Sequence, residues 1–101
     1  MVITLVDISR AVEVLSLMFD VDIKDITEMR SRKQNVVDAK RFLIYYLWKN
    51  KRVKHNHMKQ YIIGIHHTSS IHHCRLIEDL FDAHEKYRTK YFEFVYKIEY
   101  S

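Results

Sequence analysis

The sequence predicts an all-α fold, a helix-turn-helix bundle of about five to six helices. Apolar residues recur at helical spacing over most of the 101 positions, 48% of the residues are hydrophobic, Pro is absent, and Gly occurs once, at Gly64. A barrel or sandwich needs many turns rich in Gly, Asn-Gly or Pro, and this chain cannot supply them. A chain of this length has room for one core, and no Pro/Gly/Ser-rich run marks a linker, so residues 1–101 are expected to form a single domain.

The elements follow in order from that periodicity. Ile8, Ala11, Val12, Leu15, Met18 and Phe19 form the stripe of a first amphipathic helix, with Asp7 expected at its N-cap. Asp22 can cap a short second helix carrying Ile23 and Ile26, and Met29 to Gln34 has no apolar period, as an exposed basic loop would. Between Asn35 and Trp48, Val36, Ala39, Leu43, Tyr46 and Leu47 keep helical spacing, and Val37, Ile44 and Trp48 widen the face. This is the expected central helix, and the basic run Lys49 to Arg52 complements its C-terminal dipole.

Met58, Tyr61 and Ile62 mark a two-turn helix over 56–63, and Gly64 follows where a helix end needs a positive φ. Thr68 or Ser69 can cap the next helix, in which Ile71, Cys74, Ile77 and Phe81 face inward. Two helices about such a turn make a helix-turn-helix, whose second helix ordinarily reads a major groove. The tail from Tyr91 to Tyr100 fits a helix through Tyr91, Phe94, Val95 and Ile98. It fits a strand equally well through Phe92, Phe94, Tyr96, Ile98 and Tyr100, and helix is favoured by its surroundings.

Charge is distributed unevenly around a net of +4. Residues 1–30 carry three bases and six acids, residues 31–75 carry ten bases and one acid (Asp38), and residues 76–101 carry four bases and six acids. A strongly basic middle between acidic flanks suits a phosphate-binding face, since each neutralised phosphate releases condensed counterions. The expected partner class is therefore nucleic acid. One cysteine, Cys74, cannot form an internal disulfide, the start lacks a basic signal-peptide region, and no uncharged apolar run reaches membrane length. A soluble cytoplasmic protein with no membrane partner is expected.

Around the turn the chain reads Gly64-Ile-His-His-Thr-Ser-Ser-Ile-His-His-Cys-Arg-Leu-Ile77. Upstream it reads Ser31-Arg-Lys-Gln-Asn-Val-Val-Asp-Ala-Lys-Arg-Phe-Leu-Ile-Tyr-Tyr-Leu47. These two blocks, with the first helix and the Phe19 to Ile26 link, resemble the C-terminal DNA-binding domain (domain IV) of the bacterial chromosomal replication initiator DnaA, over roughly residues 6–82. Residues 83–101 are left as an aromatic C-terminal extension.

The resemblance implies a Trp-repressor-like helix-turn-helix that binds specific duplex sites in replication initiation or its control. It implies that His67 and Thr68 touch base edges, with Ser69 on the adjacent phosphate or sugar. Arg32 and Lys33 match a basic loop that reaches a minor groove, and Lys40 matches a position facing the DNA backbone. Ile65 stands in place of the family's Arg, and His66 in place of its Asp, where His can donate to guanine; Asp38 and Ser70 also depart from the pattern. His66 and His72 join the expected DNA contacts. The chain contains no Gly-x-x-x-x-Gly-Lys-(Ser/Thr) loop, so the resemblance points to a stand-alone DNA reader of the kind a phage or other mobile element carries.

Other readings stay open. The seven histidines lack a ligand pattern: His67 and His72 are five apart, and no Cys pair completes a site, so neither a metal nor another cofactor is expected. Cys74 falls on an inward face, where a thiol is inert packing, so an enzyme is not expected. A small helical module that dimerises or binds a protein through its aromatic C-terminus is the alternative to DNA reading, as is a transcriptional regulator with the same DNA chemistry.

Overall fold

A computed structural model describes residues 5–28 and 33–100. Among them the regular structure is entirely helical: α1 (Leu5–Phe19), α2 (Ile23–Thr27), α3 (Gln34–Lys49), a 3₁₀ helix η1 (His55–Gln60), α4 (His67–Ala83) and α5 (Glu85–Glu99). The protein is an all-α bundle.

Helix α3 is its axis. Every residue from Phe42 to Leu47 is buried, so its neighbours cover all sides of the helix rather than one stripe. Helices α1, α2, α4, η1 and α5 all pack against α3 or against one another around it. The Phe42 ring is the hub, meeting Phe19 edge-on at 5.2 Å and Tyr91 edge-on at 5.4 Å, with Phe94 and Phe81 just beyond at 6.3 and 6.5 Å. Such edge-to-face pairs add about 0.5–1.5 kcal/mol each to the burial of the rings.

Several ends differ from expectation, each for a local reason. Asp7 lies within α1 rather than capping it, because the apolar spacing runs back from Ile8 to Leu5 and the helix starts there. Asp22 does occupy the N-cap of α2, in an extended conformation, yet its side chain makes no cap hydrogen bond. The expected loop from Met29 lies largely outside the described residues, and α3 starts at Gln34. Residues 55–60 form a 3₁₀ helix, with His57 N–H donating to Lys54 and Tyr61 N–H to Met58, both three residues back. Helix α4 begins at His67, so Thr68 and Ser69 sit in its first turn instead of capping it. The tail is helical: Tyr91 and Phe94 enter the core three residues apart, leaving Phe92, Tyr96 and Tyr100 outside.

Among the described residues, three take positive φ. Asp20 (φ 55°) closes α1, with Val21 N–H reaching back to Ser16 O, and Arg52 (φ 59°) lets Val53 N–H reach Leu47 O at 2.9 Å. Gly64 (φ 83°) makes the turn between η1 and α4, as its position in the sequence predicts.

Candidate nucleic-acid interface

The start of α4 is held from below and open above. Ile62 and Ile65 on either side of Gly64 are buried, so the turn is pinned by two apolar side chains. Beneath the first turn, Ser70 is fully buried and its Oγ lies 2.7 Å from His55 Nδ1. The His55 ring in turn stacks on Trp48 at 5.2 Å, which ties η1 and α3 to the opening of α4. Burial, reinforced by the charge of His67, holds the His55 pKa below its ordinary value, and this favours a neutral ring in that contact. The departure of Ser70 from an apolar residue is thereby accounted for: its hydroxyl satisfies His55.

On the outer side His66, His67, Thr68 and His72 are exposed and Ser69 is half-buried. Thr68, His72 and Arg75 follow at four and three residues, so they share one solvent-facing strip of α4. No acid occurs in α4 before Glu78. His66, at the N-cap, makes no side-chain cap bond, so the amides of the first turn still face outward as donors. Arg75, together with Lys54 at the N-cap of η1 and His57 and Lys59 within it, was not singled out by the motif. Their exposure and the packing of η1 on α4 add them to this basic side, and the signal for them was the basic block itself.

The basic loop begins beside this turn. Glu28 and Ile63 form a parallel bridge in which Ile63 N–H donates to Thr27 O at 2.9 Å. Lys33, exposed, is the N-cap of α3 at the other end of the loop, while Arg32 lies outside the described residues.

Lys40 requires a correction. It is only 3% exposed, so it does not face outward to meet a DNA backbone. Burial lowers its pKa, opposed by the nearby acids Asp25 and Glu28, which hold the ammonium on the inner side of the bundle. Asp38 is likewise internal: it accepts from Gln34 Nε2 at 2.9 Å and lies 3.8 Å from Arg41. Arg41 Nε donates to His73 Nδ1 at 3.3 Å, completing a polar seam between α3 and α4. His73 is pushed down to about 4 by burial first, and then by Arg41, His72 and Lys40. Burial, with Glu78 nearby, pushes the Cys74 thiol up to about 12, so it is a poor nucleophile.

Among the described residues no group of three His, Cys, Asp or Glu side chains is placed to hold a metal, and no helix is long and apolar enough to cross a membrane. No family model matches the chain, and no characterised protein or solved structure matches it.

Proposed function

We propose that the protein binds specific sites on double-stranded DNA through the helix-turn-helix of η1 and α4, in the initiation of replication or its control. The observation that carries this reading is the opening of α4: exposed His66, His67, Thr68 and His72 on an acid-free half-helix, rigidly backed by Ser70, His55 and Trp48. The N-terminal end of a recognition helix is the part that enters a major groove. There the Thr68 methyl can pack on a thymine methyl, and imidazole nitrogens of His66, His67 and His72 can donate to or accept from base edges.

Affinity comes from the phosphates. Ser69 and the uncapped amides of the first turn would hold one phosphate, since a helix N-terminus is an anion site with aligned donors. Lys54, Lys59 and Arg75 supply sequence-independent attraction. Lys33, exposed at the N-cap of α3, is a cation that an adjacent narrow minor groove would attract. The resemblance to the DnaA domain supplies the replication role, which this chain would serve by occupying a site.

The test is a fluorescence-anisotropy titration with a DnaA-box duplex and a scrambled duplex over a salt series. Tight, salt-sensitive binding to the box supports the reading. Thr68→Ala should then lose about 1–3 kcal/mol on the cognate duplex and little on the scrambled one, with thermal stability unchanged. Equal loss on both would remove α4 as the reader, and no binding to any duplex recovered by site selection would overturn DNA recognition.

A further inference from the structure

Helices α1 and α5 carry a second surface that DNA reading does not use. On α5, Phe92, Glu93, Tyr96, Lys97 and Tyr100 are all exposed and, at spacings of three and four, share one outward arc. The three rings are 66%, 64% and 76% exposed, although large aromatic side chains are ordinarily the first to be covered. Beside this aromatic ridge runs a groove of about 410 Å³ between α1 and α5, lined by Val14, Leu17, Met18, Glu93 and Lys97. Leu17 on its far lip is 79% exposed. Glu93 and Lys97, 3.9 Å apart, line the groove and share the outward arc of the ridge.

We propose that this face binds a second copy of the chain in a two-fold symmetric pair, α5 lying antiparallel on α5. Charge complementarity selects that occupant. In an antiparallel pairing centred at Val95, position 93 of one helix stands opposite position 97 of the other, so Glu93 meets Lys97 of the second copy, and Lys97 meets its Glu93. A two-fold interface is self-complementary in this way, with each contact made twice. The same operation carries the aromatic ridge of one copy across the axis into the groove of the other, covering Leu17 and the three rings together. A partner of one charge sign would match only half of this surface. The residues of this face lie on α1 and α5 and those of the DNA-reading face on η1 and α4, so the two surfaces share no residue and the pairing does not depend on DNA binding.

The experiment is sedimentation velocity of the full chain across a concentration series, on wild type, Glu93→Lys, Lys97→Glu, and an equimolar mixture of those two variants. Wild type is expected to sediment as a dimer at mid-micromolar concentration. Each variant places like charges across the axis and is expected to sediment as a monomer with unchanged helical circular dichroism. Mixing them opposes Lys at 93 and 97 to Glu at 93 and 97, and the dimer returns. The pair within each α5 stays broken in the mixture, so recovery can come only from contact between chains. Tyr96→Glu, at an exposed position, should also give a folded monomer. A wild type that stays monomeric throughout, including one that captures some other protein, overturns the proposal, and so does a mixture that fails to recover.

Discussion

The two halves of α4 carry opposite charge. From His67 to Arg75 the helix has three histidines, an arginine and no acid; from Leu76 to Ala83 it has Glu78, Asp79 and Asp82 and no base. Both halves bury one side, through Ser70 and Cys74 in the first and Ile77 in the second. The difference lies in what each buried side is made of and what the outer side offers. The second half is ordinary hydrophobic packing under an acidic surface, whereas the first is polar within and open to a polyanion without. A net charge for the whole helix would erase this, and the reading of function depends on resolving it turn by turn.

The largest effect should come from the apolar half. Ile77 is 1% exposed, and Ile77→Ala should cost about 2–5 kcal/mol of stability through lost burial and the cavity left behind. Urea denaturation checks this, and the folded fraction should bind DNA as before. Next comes the polar half, where Ser70→Ala strands His55 Nδ1 beneath the first turn, at a cost of about 1–3 kcal/mol. Unlike Ile77→Ala, it should also weaken DNA binding, because His55 and Trp48 then no longer fix the angle of α4. If both variants left affinity intact, the two halves would not differ in the way described.

Acid should separate the halves as well. His73 has a folded pKa of about 4 against an ordinary 6.5, so the unfolded chain takes up its proton first as pH falls. The stability contributed by neutral His73 is therefore complete above about pH 6.5 and is lost progressively towards pH 4, at no more than about 1.4 kcal/mol per pH unit. His73→Gln keeps an acceptor for Arg41 and does not titrate. Thermal melts from neutral pH down to 4 should fall more steeply for wild type than for this variant, and parallel curves would show that His73 is not the titrating group.

Much of the bundle is legible in the sequence because its helices are amphipathic, and 3.6-residue spacing finds them even where caps mislead. Asp7, Thr68 and Ser69 look like caps by residue type, yet cap preference is a local bias that the pinning of Ile65 and the extra turn at Leu5 override. Met58, Tyr61 and Ile62 share a face in either an α- or a 3₁₀-helix, so spacing alone could not separate the two. Lys40 is the instructive case for the site. Counted as charge it belongs with the basic block, but it follows Val36 by four residues and precedes Leu43 and Ile44 by three and four, which places it on a buried face of α3. The same test identifies Ser70, three and four residues before His73 and Cys74, as an inward residue. Position within the helical period decides whether a polar side chain can meet a ligand, and composition does not carry that information.

The smallest effect probes where the duplex stops along α4. Asp79 continues the exposed strip of Thr68, His72 and Arg75, and at about 1.5 Å of rise per residue it lies about 6 Å beyond Arg75, with Asp82 about 10 Å beyond. At physiological ionic strength charges are screened over about 8 Å, so Asp79 lies within reach of a phosphate held near Arg75 and Asp82 lies past it. Asp79→Asn should therefore tighten binding to any duplex by a few tenths of a kcal/mol, an exposed-charge effect, and Asp82→Asn by less. Anisotropy titrations at low salt should show both gains, and they should shrink together as salt is raised. A larger gain from Asp82 than from Asp79 would put the duplex along the acidic half of α4 and reverse the assignment of the two halves.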